Sequence, residues 1–401
     1  MMKRSQDLDI LHPAPWRSVK RMACATATLA WWLALGLTLG ALSACAELPY
    51  YLQSVSGHLQ VMRAARPIDS LLQSAQLSTQ LRTRLHSAQQ LRRFAVAQLS
   101  LPDNASYHQF ADIKRPYVVW NVVATPAYAL ELKTWCFPVM GCVAYRGYYD
   151  QAQAQAFAAG LQEQDLDVSV YGVPAYSTLG WLNWVGGDPL LNTWANYPDG
   201  ELARLMFHEL AHQVLYIGSD TVFDESFATT VERLGTRQWL RMQASPEDRR
   251  VFAQSEQRRV AFRAMTRAAS DKLRKVYEQP ALSDDQAVRR AAQKTQVMAQ
   301  FRLDYAALKA SWGGYSGYDG WVEKANNAAF AAQAAYDDHV PGFEALFQEV
   351  NASWPDFYAA VKRLAQLPKP QRSQRLRDLA ASRPAFEAVQ DHAQWPNASA
   401  Y

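Results

Sequence analysis

Apolar positions change their spacing several times along the chain, and each change marks an element. Met22 to Ala44 is an uncharged apolar run preceded by Arg17, Lys20 and Arg21. Between residues 70 and 99, Leu77, Leu81, Leu85, Leu91 and Leu99 return to one side of a 3.6-residue helix, and Pro102 closes the segment. Tyr117 to Val123, rich in Val and aromatic side chains, reads as a strand; Tyr149 to Gln164, rich in Ala and Gln, reads as a helix; Leu166 to Tyr171 alternates as a half-buried strand does. Leu202, Leu205, Met206, Leu210 and Val214 mark the buried side of a helix over 201–216 with Asp199 as its N-cap. Thr221 opens the next helix, where Thr221-x-x-Asp224 has the form of a capping box. After Glu232 two long charged helical segments, 246–278 and 284–310, meet around Pro280.

This order predicts an α+β, predominantly helical fold: a small sheet, a helical pair at its centre, and a helical C-terminal part. The expected divisions are 1–45, 46–240, 241–367 and a tail, 368–401, whose polar composition favours disorder.

The chemistry concentrates in Leu205-Met-Phe-His-Glu-Leu-Ala-His-Gln213. Residues i and i+4 stack one turn apart on a helix, so His208 and His212 can present ring nitrogens to one metal ion in the H-E-x-x-H arrangement of zinc hydrolases. Glu209 then falls beside the metal, placed as a general base towards a water whose pKa the metal lowers. A third ligand is needed, and Glu225 is well placed if the chain turns near Ile217-Gly218 and runs back antiparallel from Thr221. Two His and one Glu leave a fourth tetrahedral position open, as catalytic zinc requires. Glu232 shares the face of Glu225 and is a rival ligand, better read as a residue behind the ligands; Thr229, one turn after Glu225, can hydrogen-bond a ligand.

The apolar run ends in Leu42-Ser-Ala-Cys45, a signal peptide with a lipobox in which Cys45 carries the lipid. The other reading is an uncleaved membrane-spanning helix, since the run is long enough; Met22 is an alternative start to Met1. Cys24 leaves with the signal, so Cys136 and Cys142 remain, and an oxidising periplasm would join them. Composition adds little beyond this. With 401 residues, 49% hydrophobic, and a net charge of +4, the chain is of ordinary globular type and implies no nucleic-acid partner. Arg249, Arg250, Arg258, Arg259, Arg263 and Arg267 alternate with acidic neighbours and read as a solvated helix face.

His208-Glu-Leu-Ala-His-Gln213 with Phe223-Asp-Glu-Ser-Phe-Ala-Thr229 resembles the gluzincin metallopeptidases, whose third ligand is a glutamate on the following helix. More closely, the chain resembles a family of zinc aminopeptidases found as lipoproteins in Gram-negative bacteria. The matching segments include Trp135-Cys-Phe-Pro138, Tyr145-Arg-Gly-Tyr148, Ala175-Tyr-Ser-Thr-Leu-Gly-Trp181, Asp188-Pro-Leu-Leu191 and Asn326-Asn-Ala328, and the likeness covers most of 48–367. It implies a zincin-like catalytic domain with its sheet on the active-site helix, Zn2+ on His208, His212 and Glu225, Glu209 as base, and a peptide or protein substrate. It also implies a rim strand over Val173 to Gly180, with Tyr176, Ser177 and Thr178 beside the substrate; the other reading is that the Gly-rich stretch from Gly180 to Gly187 is a loop with no role. An oxyanion-stabilising donor is expected from the later helices: Tyr336 first, His339 second, with Tyr305, Tyr315 and Tyr318 still open. Ala46 after the cysteine, by resemblance to bacterial sorting rules, points to the outer membrane. The G-x-M-E-N segment that holds a free amine in the best-known gluzincin aminopeptidases is missing, so exo or endo action stays open, as does oligomeric state. The rival reading is an envelope lipoprotein scaffold with a structural zinc site, against which the intact Glu209 argues.

Overall fold

The computed structural model describes residues 48–137, 141–175, 187–279, 283–335 and 337–382. The chain divides into two units, Met1–Val55 and Ser56–Tyr401. In the first, residues 48–55 are helical; the second opens with helix 56–64 (α1) and carries the remaining elements. No described helix is long and apolar enough to cross a membrane. The run Met22–Ala44, Cys45, Tyr336 and the Tyr176–Thr178 segment lie outside the described residues.

Strands form three small sheets. β1 (Ala65–Pro67), β2 (Gln109–Ala111) and β8 (Leu190–Leu191) make one, with β2 between the other two. The second has β3 (Val119–Pro126) between β6 (Arg146–Tyr148) and β7 (Leu166–Val173), antiparallel to both, and β3 and β7 pair over their whole length. β4 (Trp135–Phe137) and β5 (Gly141–Val143) form a hairpin whose register sets Cys136 opposite Cys142, and the two are joined by a disulfide. The strand expected from Val and aromatic content is β3, which starts two residues later and ends three later than expected, and the strand expected from alternation is β7, two residues longer at its C-terminal end.

The helices follow as α2 (Ile68–Gln73), α3 (Thr79–Leu99), α4 (Gln151–Gln162), α5 (Asn192–Ala195), α6 (Asp199–His212), α7 (Thr221–Met242), α8 (Pro246–Tyr277), α9 (Asp284–Ser311), α10 (Asp319–Glu323), α11 (Asn327–Ala335), α12 (Val340–Glu349), α13 (Trp354–Ala365) and α14 (Lys369–Ser382). The expected 70–99 helix is therefore two, because Ser78 caps a new start by accepting from the Leu81 N–H. Two caps differ from expectation. Asp199 is the first residue of α6 and not its N-cap; it pairs with Arg84 at 2.6 Å. Asp220 precedes α7 without a side-chain cap, so no capping box forms, and Asp224 instead accepts from the Ile217 N–H at 2.8 Å. The missing cap is a small matter here. A cap is worth about 1 kcal/mol, whereas each fully buried large apolar side chain contributes about 1.5–3 kcal/mol, and α7 buries Phe223, Phe227 and Val231 completely.

The main core runs through α3, α6, α7, α12 and α13, with Phe223 and Phe343 edge to face at 5.0 Å and Phe227 against Phe357 at 6.0 Å. A second apolar cluster joins α8, α9 and α11 through Phe262, Phe301 and Phe330. Tyr305 and Tyr318 pack on Phe262 there, and Tyr315 lies under Arg258. All three have structural partners away from the motif histidines.

Two surface readings are refined. Of the tail expected to be partly disordered, Lys369–Ser382 is α14: Arg372, Leu376 and Leu379 share one buried side, and Arg372 reaches Asp220 at 2.7 Å. One apolar stripe suffices to hold a helix whose average composition is polar. The arginines of α8 are not uniformly solvated either, since Arg259 meets Glu201 at 2.6 Å and Arg263 meets Asp337 at 3.2 Å. Arg250, paired with Glu247 along the helix, remains exposed as predicted.

Candidate metal centre

α6 ends at His212, earlier than its apolar pattern suggests, and the chain turns back through Gly218 into α7. Glu225 faces His208 and His212, while Glu232 faces His208 and Arg204, so advancing along α7 retreats along α6: the pair is antiparallel. Two turns of each helix thereby converge on one buried point.

His208 Nε2 lies 3.2 Å from His212 Nε2 and 3.3 Å from Glu225 Oε2, and His212 Nε2 lies 3.7 Å from the same oxygen. Ligand atoms about 2.0–2.1 Å from a tetrahedral zinc stand roughly 3.3 Å apart, so the donor set fits such an ion. Among the described residues these three form the cluster able to hold one. Glu232 binds the opposite ring nitrogen, His208 Nδ1, at 3.0 Å, which directs Nε2 towards the cluster. It belongs behind the ligands. Arg204 donates to Glu232 from Nε at 2.7 Å and to Glu201 at 3.2 Å, and Arg259 also reaches Glu201. The ring of His208 is thus fixed by an ion-pair chain extending to α8.

Burial opposes the imidazolium of His208, but the hydrogen bonds and charges of Glu225 and Glu232 outweigh it and push its pKa up to about 10. Burial likewise raises Glu225, yet the two histidines bring it down to about 2. Glu232 is held well below the usual range by Arg204 and His208, against its own burial. Glu209 behaves differently. Burial raises its pKa, partly opposed by His208 and His212, and its carboxylate makes no hydrogen bond among the described residues. A buried carboxylate without a structural partner beside three metal-type donors is available to exchange a proton. Thr229 is buried on α7 but makes no hydrogen bond to the cluster among the described residues.

Several groups near the cluster carry no signal in the motif. Tyr145, one residue before β6, has Glu225, Tyr216, Tyr171 and Glu209 as its electrostatic neighbours, and burial raises its pKa well above that of a free phenol. Register explains the direction. Asn121 lies opposite both Gly147 and Tyr171, and alternation puts Tyr145 on that same side of the sheet, whereas Arg146 lies over Phe157 of α4 on the other. Tyr171 is pushed up to about 12 by burial. Tyr216 sets its ring 6.5 Å from that of His212. On another side, Gln213 donates to Ser106 at 3.1 Å and to Asp188 at 3.3 Å, and Asn104 donates to Gln213 at 2.6 Å. This lattice ties the end of the motif to the β2 and β8 region. Tyr145 and Asp188 both fall in segments carrying the family likeness, which was the only trace of them in the sequence.

His339, the described member of the two expected donors, precedes α12, and its N–H donates to Ser226 Oγ at 3.2 Å. Its principal electrostatic neighbours are Asp338, Asp220 and Arg377, at the start of α7 rather than at the cluster. On the sheet side Tyr145 brings a phenol whose electrostatic neighbours include Glu225 and Glu209.

No curated protein and no solved structure matches the chain. Residues 49–376 match the family described as "Putative aminopeptidase", a span that includes α6, α7 and every group placed around the cluster, and the chain belongs to that family.

Proposed function

We propose that the protein is a zinc-dependent peptidase, most specifically an aminopeptidase, held at the periplasmic face of the outer membrane by lipid on Cys45. The observation that carries the enzymatic reading is the buried His208, His212 and Glu225 set with Glu209 beside it, its carboxylate without a hydrogen bond among the described residues. Zinc on these ligands would supply Lewis acidity and an acidified water. Glu209 takes a proton from the attacking water and returns it to the leaving amine; burial, by raising its pKa, makes it the better base. Tyr145 donates its hydroxyl to the charge developing on the carbonyl oxygen. Glu232 holds the tautomer of His208 throughout.

The lipid anchor rests on Leu42-Ser-Ala-Cys45 after an apolar run, and the disulfide of Cys136 with Cys142 agrees with an oxidising compartment. The test is hydrolysis of free-amine and amine-blocked peptides by the purified chain and its Glu209→Gln variant, with metal content measured in both. The expected result is loss of cleavage in the variant with metal retained, and dependence on the free amine. A variant that cleaves as well as the parent removes Glu209 as base, and metal without Glu209-dependent cleavage favours the scaffold.

A further inference from the structure

The helical stretch of the first unit presents large apolar side chains to solvent at one spacing. Leu48 is 53% exposed, Leu52 60% and Val55 60%. These are positions i, i+4 and i+7, which share one side of a helix. Tyr51, at i+3, is on the same side and 39% exposed. Leu59, in the second unit, is also exposed at 45%. Isolated exposed leucines need no explanation, but an aligned set does. No Asp, Glu, Lys or Arg lies between residues 48 and 62, and the one titratable base there, His58, follows the stripe in the second unit with its pKa lowered by burial, so no charge interrupts Leu48, Leu52 and Val55.

The position of the stripe identifies what covers it. Cys45 is three residues before Leu48, and three residues of extended chain reach at most about 11 Å. A lipid on Cys45 sits in the bilayer, so the first turn of the helix is held within that distance of the headgroups whatever its own affinity. At this effective concentration an aligned apolar side has the membrane as its nearest partner. We propose that residues 48–55 form an interfacial helix that lies along a phospholipid bilayer, with Leu48, Leu52 and Val55 inserted at the headgroup boundary. The helix supplements the lipid by fixing the direction in which the chain leaves the membrane. This inference rests on the anchor reading.

The experiment uses the full chain in isolated membranes. With Cys45 acylated and Cys136 bonded to Cys142, a single added cysteine is the free thiol of the processed chain. Leu52→Cys and Val55→Cys are compared with Gln60→Cys, exposed and off the stripe, in reaction with a membrane-impermeant maleimide. The expected outcome is labelling of the first two about fivefold or more slower than Gln60→Cys in membranes, with the difference abolished by detergent. Equal labelling in membranes overturns the proposal. Protection that survives detergent also overturns it, because a second copy or another protein then covers the stripe. The mass of the Cys45 peptide, measured on the same samples, reports the anchor separately: an unmodified peptide refutes lipidation, while the label, read on the peptide that carries the added cysteine and so apart from Cys24 and Cys45, still decides the face for a chain held by its apolar run. A chain recovered wholly outside the membrane fraction refutes both.

Discussion

Replacing Glu232 by Gln separates two jobs that the structure gives to one carboxylate. Glu232 accepts from His208 Nδ1 at 3.0 Å and from Arg204 Nε at 2.7 Å, and the side chains of Glu232 and Arg204 are only 9% and 14% exposed. Gln keeps the volume and one acceptor but removes the charge. Loss of a carboxylate behind a metal-ligating histidine lowers metal affinity by about 10–100-fold, or roughly 1.4–2.7 kcal/mol. Independently, Arg204 loses its closest counter-charge and keeps Glu201 at 3.2 Å, so folding stability should fall, by less than the roughly 3–5 kcal/mol of a wholly uncompensated buried charge. Zn2+ affinity from chelator competition and urea unfolding of the metal-free protein measure the two effects. Adding Arg204→Met should recover most of the stability, because the stranded charge is gone, without recovering the affinity. Unchanged Zn2+ affinity in Glu232→Gln would refute the idea that this carboxylate orients His208; joint recovery of both in the double variant would show that affinity followed stability alone.

Zn2+ uptake at pH 7 should release about one proton, since His208, raised to about 10, is charged in the metal-free protein and must be neutral as a ligand, while Glu225, lowered to about 2, is already ionised. Calorimetry in buffers of different ionisation enthalpy reads that number, and zero would mean a neutral His208. The same shift sets a sign for stability: the contribution of His208 is full below its ordinary 6.5 and is lost as pH rises through about 10, so metal-free stability should fall across that window. Tyr145→Phe should reduce kcat by about 10²–10³-fold with metal content and KM little changed; full activity would remove the hydroxyl from the reaction. Gly342→Ala should destabilise by about 1–3 kcal/mol in denaturant unfolding, because the new Cβ would collide with the backbone carbonyl of Leu376 where α12 meets α14; a neutral result would mean the two helices separate freely.

Much of the centre was legible because it is local. The i, i+4 spacing of His208 and His212 is a property of one helix, and Glu225 needed only a short turn and an antiparallel return. The long charged helices α8 and α9 were found to within about a residue, because helix-forming composition acts locally too. The caps were misread because Asp199 and Asp224 had a choice of partners: Arg84 and the Ile217 N–H, brought near by folding, competed with the local cap. The 368–401 tail was judged by average composition, when three residues on one side of α14 found a core to pack on.

The sequence by itself determined that two imidazoles and a carboxylate could meet on one helical face, since helical geometry needs no partner. It determined the two principal strands, one from its Val and aromatic content and one from the alternation that the pleat fixes. That tyrosines of the sheet lie near the centre was decided only by the tertiary structure: the β3, β6 and β7 register brings residues 121, 147 and 171 abreast, and Tyr145 and Tyr171 both have Glu225 as an electrostatic neighbour. So was the role of Glu232, whose distance from His208 depends on how α6 and α7 pack. Contacts within a few residues are set by backbone period, whereas contacts between distant segments are set by the packing of whole elements, and no short pattern encodes that.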